Sequence, residues 1–253
     1  MTTTSHPLRT SADAGIRRTA ALLIAGAVTV NLAFLGLGAV FDYPDVLNEP
    51  PADVLVRFHD NQLVIGGLFL LLALGAGLLA PIAIGVSRLG SSRALRWSRP
   101  VGIVAAAVQV IGLLRWPLVV PFLAGATPDP AAGTFDTLNL VLGTIIGETV
   151  GYALTAAWTV LVCVGLRRVV LGRALTALGL LAAVLIAVGT LEPLGVPLSG
   201  LANFVGYVVW SCWLVAVAVV LLVRNRRSRG RPNSNVRRGQ GTWPTRRMNI
   251  ETP

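Results

Sequence analysis

The sequence predicts an all-α membrane protein, a polytopic bundle of six transmembrane helices. Three observations predict this fold: 54% of the 253 residues are hydrophobic, only 13% are charged, and the mean hydropathy is +0.73. A soluble domain of this length needs more charge to cover its surface, whereas a bilayer requires long apolar runs. The net charge of +10 does not indicate nucleic-acid binding, because the basic residues cluster in short loops and near the C-terminal end.

Six apolar windows meet or approach the roughly 20 residues that a helix needs to cross a bilayer. They are Thr19–Val40, Leu63–Val86, Val101–Leu123, Leu138–Leu166, Ala174–Leu191 and Leu201–Val223. The first window is too long for a signal-peptide core and is expected to remain as the first span. The predicted domains are therefore a cytoplasmic N-terminal segment (1–18), the six-span transmembrane domain (19–223) and an Arg-rich, disordered cytoplasmic tail (224–253).

The charges of the connections predict the orientation. The N-terminal segment, the connections after spans two and four, and the tail are net basic, whereas the connections after spans one, three and five are net acidic. By the positive-inside rule both termini lie in the cytoplasm, and an odd number of spans would break the alternation. All 21 basic residues are arginine, which we attribute to a GC-rich bacterial genome, so the expected location is the bacterial plasma membrane.

Two polar segments have different expected roles. In the first external loop, Pro51 and Asp53 favour the start of a short helix. Val54, Leu55 and Phe58 then share one face, which predicts an interfacial helix. The tail is polar and Arg-rich, and its start at Arg224–Arg227 is expected to bind the anionic headgroups of membrane lipids.

Arg115 and Glu148 are the two charged residues well inside apolar windows. At about 1.5 Å per residue, Arg115 lies about 14 Å from the external end of span three and Glu148 about 15 Å into span four. The two side chains are therefore expected to form an ion pair in the outer half of the membrane. This pair is either a functional site, for proton relay or for a polar solute or headgroup, or a structural clamp between two helices.

Span four carries two further patterns. Gly143, Gly147 and Gly151 form a GxxxGxxxG strip that predicts close helix packing, either within the monomer or between protomers of a homo-oligomer. Tyr152 and Thr155 follow Glu148 at helical spacing and form a polar stripe beside the strip.

A small hydrated pocket is predicted where this stripe faces span three. Pro117 and Pro121 are expected to bend that span close to Arg115. Other polar residues of the spans are expected to form hydrogen bonds between helices. They are Asn31, Gln109, Asn203 and Tyr207.

Catalytic and metal-binding motifs are not found in the sequence. The only histidines are His6 and His59, which excludes an HExxH zinc site, and no GxSxG, P-loop or CxxC pattern occurs. No catalytic residue, metal or cofactor is therefore predicted. Cys163 and Cys212 lie in apolar windows and are expected to be buried free thiols.

Two stretches resemble a known family. The first external loop, Phe41–Leu47 and Pro50–Phe58, and the fourth span, with Leu138–Gly143, Gly147–Tyr152 and Trp158-Thr159, are similar to those of bacterial membrane proteins of the domain of unknown function 4386 family. The resemblance implies the same six-helix architecture. It supplies no activity, cofactor or catalytic residue.

Three functions remain open from the sequence. The leading hypothesis is a non-enzymatic membrane protein that binds or passes a small polar solute, ion or lipid headgroup at Arg115, Glu148 and Tyr152. The alternative is a structural or regulatory membrane protein that acts through its external loop or basic tail. An intramembrane enzyme is third, because Thr149 and Thr155 near Glu148 carry no activating signature.

Overall fold

Helices form almost the whole structure. The computed structural model describes residues 6–125 and 128–229, with side chains described for 13–125 and 130–227, and no strand occurs in these ranges. The α-helices are α1 His6–Phe41, α2 Pro51–Asp60, α3 Gln62–Gly77, α4 Leu79–Ser87, α5 Arg93–Leu118, α6 Val120–Ala124, α7 Pro128–Leu138, α8 Gly151–Leu166, α9 Arg173–Val188 and α10 Ser199–Arg229. A π-helix, Asn139–Val150, joins α7 to α8, and short 3-10 helices span Asp45–Asn48 and Gly189–Leu194.

Six helical stretches of the described chain are long and apolar enough to cross a membrane. They are Asp13–Phe41, Gln62–Ser87, Arg93–Ala124, Pro130–Leu166, Arg173–Leu194 and Ser199–Arg227. Each predicted window lies inside one of these stretches, so the chain has the six long apolar helices that a membrane bundle requires. Span three is interrupted at Val119, between Pro117 and Pro121, where the sequence predicted a bend.

The six spans form a closed ring. Each span packs against the spans that precede and follow it, and span six returns to pack against span one. Short connections favour this order, because they make consecutive helices antiparallel neighbours. The connections after spans one, three and five therefore meet at one end of the bundle, here called the acidic end, and the other connections meet at the basic end.

Two separate apolar clusters fill the ring. The basic-half cluster contains buried side chains from all six spans and includes Trp158, Trp210 and Trp213. Trp210 and Trp213 are 8% and 1% exposed, so both side chains pack in the core. The acidic-end cluster takes its buried residues from spans one to four and the first connection, and from neither span five nor span six.

Trp116 is the centre of the acidic-end cluster. Its ring stacks on Phe69 with the ring centroids 4.5 Å apart. Phe41, Phe58 and Phe135 surround it at centroid distances of 5.2, 5.8 and 5.7 Å. Because Phe58 belongs to α2 and Phe135 to α7, this cluster attaches the acidic connections to the bundle.

The predicted loop helix is present as α2, and its apolar face has a clear partner. Val54, Leu55 and Phe58 are buried in the acidic-end cluster rather than left for lipid. On the opposite side, Arg57 forms ion pairs with Glu49 at 3.1 Å and with Asp42 at 3.8 Å. The position of α2 at the membrane interface stays a prediction.

The first and last helices extend beyond the predicted apolar windows. Helix α10 continues past Val223 to Arg229, and Arg224 donates a hydrogen bond to the Val169 carbonyl oxygen. Arginine has a high helix propensity, so an existing helix extends into the basic segment. Helix α1 likewise begins at His6. The rest of the predicted disordered tail, 230–253, lies outside the described residues.

The cysteines are free thiols with different surroundings. Cys163 is buried as predicted, whereas Cys212 is exposed, so the prediction of burial is wrong for Cys212. The reason is that an apolar span presents one face to the protein and another to lipid, and hydrophobicity alone does not distinguish the two.

The close contact between spans five and six gives a test of the ring. An added Cβ at Gly206 would lie 2.8 Å from the Ile186 backbone nitrogen and 3.0 Å from the Leu185 carbonyl carbon. Gly206→Ala is expected to lower the free energy of unfolding by about 1–3 kcal/mol, because backbone atoms cannot move aside cheaply. Thermal and denaturant unfolding in detergent measure the change.

The control is Gly67→Ala, since a Cβ at Gly67 meets nothing within 4 Å. This substitution is expected to leave stability unchanged or to raise it by up to about 1 kcal/mol through helix propensity. Equal losses in the two variants would argue against the packing of span five on span six.

Candidate functional site

A set of polar side chains lies within the bundle and is here called the polar layer. Its members are buried or half-buried and come from spans one, three, four and six. The polar layer consists of Asn31, Gln109, Arg115, Asn139, Glu148, Tyr152, Thr155, Asn203 and Tyr207. It contains every site residue predicted from the polar stripe, and it adds Asn139, which the sequence analysis did not identify.

Neutral members of the layer connect neighbouring or facing helices by hydrogen bonds. Amide groups donate in three bonds: Asn31 Nδ2 to Ser211 Oγ at 2.9 Å, Gln109 Nε2 to Thr155 Oγ1 at 2.9 Å, and Asn203 Nδ2 to the Ile186 carbonyl oxygen at 3.0 Å. The predicted interhelical role is thereby confirmed for these three residues. The Tyr207 hydroxyl lies near Thr155 but makes no hydrogen bond of normal geometry.

Arg115 occupies a close-fitting site between spans three and four. Its side chain is 4% exposed, Nη1 donates to the Gly112 carbonyl oxygen at 2.6 Å, and Nη2 donates to Asn139 Oδ1 at 2.8 Å. The guanidinium carbon lies 5.4 Å from the centroid of the Trp116 ring. A Cβ at Gly143 would lie 2.6 Å from Nη2, so the guanidinium fits only because this residue is glycine.

The π-helix brings its backbone against span three. A Cβ at Gly147 would lie 3.3 Å from the Gly112 Cα, and a Cβ at Gly112 would lie 2.7 Å from the Leu142 carbonyl oxygen. Thr149 Oγ1 donates to the carbonyl oxygen of Thr144, five positions earlier, at 2.8 Å. The sequence analysis expected an α-helix here. Single-turn π-bulges are often found at functional sites, and the π-helix here extends over 12 residues rather than a single turn.

The glycine strip of span four packs within the chain. Gly143 lies against Arg115, Gly147 against Gly112, and a Cβ at Gly151 would lie 2.9 Å from Cγ of Gln109. All of these contacts are with span three. Of the two packing modes that the sequence left open, the structure therefore forms the intramolecular one, and span three covers the strip.

Arg115 and Glu148 do not form the predicted ion pair in this structure. Among the described residues no ion pair joins Arg115 to Glu148, and the half-buried Glu148 carboxylate makes no hydrogen bond to them. The two charges lie within electrostatic range of each other without contact. One physical reason is the π-helix, because a wider helix rises less per residue and the depth calculated for Glu148 assumed α-helical rise.

The Glu148 carboxylate interacts electrostatically with tyrosine side chains and with Glu192. All three tyrosines of the chain lie within its electrostatic range: Tyr43 from the first connection, Tyr152 from span four and Tyr207 from span six. The rings of Tyr152 and Tyr207 meet edge to face, with centroids 5.6 Å apart. Burial, reinforced by Glu148, raises the pKa of Tyr43, so its phenol stays neutral.

Tyr43 is the second site residue that sequence reasoning missed. It follows the first span, and its ring packs edge to face on Phe69, with centroids 5.2 Å apart. The only signal for it was its place in the loop that carries the family resemblance. Through this contact Tyr43 packs against the acidic-end cluster.

A shallow surface depression of 370 Å³ is lined by residues 59–64, at the start of span two, and by no member of the layer. Across the described residues no group of three or more His, Cys, Asp or Glu side chains is placed to hold a metal ion. The layer therefore offers two opposite charges, aromatic faces and hydroxyl groups as its chemical resources.

Comparison with known proteins gives a family match. The family model described as Domain of unknown function (DUF4386) matches residues 19–218, from the first span into the sixth. No curated protein and no solved structure matches the chain.

The contacts of Arg115 predict which partner it depends on for stability. In double-mutant cycles with Arg115→Leu, the coupling to Asn139→Leu is expected to be about 1 kcal/mol, the scale of a hydrogen bond between membrane helices. Coupling to Glu148→Gln is expected to be smaller, because the side chains do not touch. Unfolding of the purified variants in detergent measures both couplings. A larger coupling to Glu148 would show that the ion pair forms after all.

Proposed function

The chain belongs to the DUF4386 family, and from this premise we propose that it is an integral membrane protein that binds or passes a small polar solute, an ion or a lipid headgroup at the polar layer. The observation that carries the proposal is the arrangement of Arg115 and Glu148. Both are ionisable groups of membrane spans, and neither has an ionic partner in the described part of the chain.

Two charged side chains without ionic partners inside a membrane cost free energy unless another charged or polar group compensates them. Charged side chains inside a membrane are rare, and they usually pair with each other or face a polar pathway. A structural clamp would place the two groups in contact, since an unpaired charge destabilises a buried site by several kcal/mol in the usual case. The separation of Arg115 from Glu148 therefore favours a site completed by a ligand over a clamp.

The route to the site starts at the acidic end. Tyr43 extends from the first connection towards Glu148, and the acidic-end cluster does not include spans five and six. We propose that this end faces outwards and that both termini face the cytoplasm of a bacterial cell, since the arginine-rich connections lie at the opposite end. The basic end and the tail then lie beside anionic headgroups.

One observation supports a regulatory role as a second candidate. The first connection is well ordered by Arg57 and by α2, and it exposes the carboxylates of Asp45, Asp53 and Asp60. A partner that binds this acidic surface would make the protein a membrane receptor or adaptor. Catalysis has less support, because the hydroxyl of Thr149 already donates to the Thr144 carbonyl oxygen.

The carboxylate of Glu148 provides the direct test of the binding function. The purified protein is exposed to a panel of small charged solutes, comprising sodium, acetate, ethylammonium, glycine and phosphoethanolamine, and its thermal unfolding is recorded. A ligand at about 100 times its Kd is expected to raise Tm by about 5–10 °C. Glu148→Gln is expected to remain folded, since it keeps the side-chain shape, and to lose this shift.

Asp136→Asn is the matched control, because Asp136 is exposed and lies outside the polar layer. It is expected to keep the shift. A Glu148→Gln protein that unfolds, but is restored when Arg115→Glu is combined with Glu148→Arg, would favour the clamp and contradict the binding function.

Reporter fusions test the proposed orientation. A green fluorescent protein fused after Pro253 is expected to fluoresce, and alkaline phosphatase fused after Asp129 is expected to be active, because the first folds only in the cytoplasm and the second only outside. Alkaline phosphatase fused after Arg168 is the control and is expected to be inactive. The reverse pattern would place the acidic end in the cytoplasm.

A further inference from the structure

The guanidinium of Arg115 has binding capacity that the protein does not use. Gly112 and Asn139 each accept one of its hydrogen bonds, and Nε is buried without an acceptor. The partners that it has are neutral, so hydrogen bonding is partly satisfied while the positive charge is not balanced. An anionic group is the ligand that such a guanidinium binds best, through paired hydrogen bonds.

Glu148 has the opposite requirement. Its carboxylate accepts no hydrogen bond from the described residues and has the aromatic rings of Tyr152 and Tyr207 nearby. A carboxylate without a hydrogen-bond donor suits an ammonium group, because the ammonium both donates hydrogen bonds and balances the negative charge. The two tyrosine hydroxyls add further hydrogen-bonding groups around the same position.

A ligand with a single charge satisfies only one of these groups. An anion bound to Arg115 lies within electrostatic range of the Glu148 carboxylate, and a cation bound to Glu148 lies within range of the guanidinium. In a medium of low dielectric constant each combination leaves repulsion and a net charge in the membrane. A molecule with both charges pairs with both groups and leaves the site neutral.

We propose that the ligand of the polar layer is a zwitterion, whose anionic group binds Arg115 and whose ammonium group binds Glu148. This inference rests on the proposed binding function and narrows its ligand class. The lack of direct contact between Arg115 and Glu148 requires that the ligand carry its two charges on separate atoms along a short chain. Free amino acids and the headgroups of ethanolamine phospholipids share this chemistry.

A matched set of probes distinguishes the ligand classes. 4-Aminobutyrate carries a carboxylate and an ammonium group on one chain, whereas butyrate and butylammonium carry one charge each. Delipidated full-length protein in detergent is titrated with each probe while Tm is measured. A saturable rise in Tm is expected with 4-aminobutyrate and not with the single-charge probes.

A lipid arm identifies the source of the zwitterion. The full-length protein is placed in nanodiscs of phosphatidylglycerol with and without phosphatidylethanolamine, and Tm is compared for the wild type and Glu148→Gln. A Glu148-dependent rise with phosphatidylethanolamine identifies a lipid headgroup, and a rise with 4-aminobutyrate alone identifies a free solute. Either result supports the zwitterion.

A single substitution changes the expected preference of the site. In Glu148→Gln, affinity for the zwitterion is expected to fall by about 30-fold or more, the scale of removing one member of a buried charged contact. Butyrate is expected to gain affinity in the same variant, because the repelling carboxylate is gone. A purely structural role of Glu148 would not produce this exchange of preference.

The outcomes separate this inference from the proposed function. If butyrate or butylammonium stabilises the wild type as strongly as 4-aminobutyrate does, and Glu148→Gln removes the effect, the zwitterion is overturned and the binding function stands. If no free probe and no lipid stabilises the wild type relative to Glu148→Gln, both proposals are overturned.

Discussion

The guanidinium of Arg115 determines how spans three and four meet. A cation within an apolar span needs acceptors, and the nearest ones are the Gly112 carbonyl oxygen and the side chain of Asn139. Reaching Asn139 requires the two backbones to lie close together, which glycine at 143 and 147 permits. The glycines of span four, the π-helix that contains them and the burial of Arg115 are therefore parts of one arrangement, in which each part requires the others.

The ring of six helices gives this arrangement its surroundings. A ring of helices leaves a central space, and the protein fills it with tryptophan and phenylalanine in two clusters. The polar layer is buried or half-buried among the spans, which isolates it from much of the surrounding water. Isolation from water lowers the local dielectric constant. An ion pair therefore interacts more strongly, and an unpaired charge costs more, than at a surface.

Much of the fold could be predicted from the sequence, because lipid imposes simple requirements on length and hydrophobicity. These requirements predicted the six spans and the interhelical bonds of Gln109 and Asn203. Proline positions predicted the helix at Pro51 and the interruption near Val119. Predictions that depended on which way a side chain points were less successful. Hydrophobicity does not say which face of a span meets lipid, as Cys212 shows.

The residues of the candidate site were easier to propose from the sequence than the contacts between them. Arg115, Glu148, Tyr152 and Thr155 were proposed because polar side chains inside a span are conspicuous in a sequence, and Arg115 lies within electrostatic range of Glu148 and Tyr152. The choice of Asn139 over Glu148 depended on a π-helix, whose changed register has no reliable sequence signature. Tyr43 was missed because a connection that folds back towards the layer is a tertiary effect.

The two apolar clusters connect different numbers of spans, and this difference affects which spans can move. The basic-half cluster ties all six spans together, whereas the acidic-end cluster ties only spans one to four. Spans five and six are thus fixed at the basic half by the shared cluster. At the acidic end they are held by their contact with each other and with neighbouring helices. An outward movement of spans five and six at the acidic end would leave the acidic-end cluster intact, which holds for no other pair of neighbouring spans.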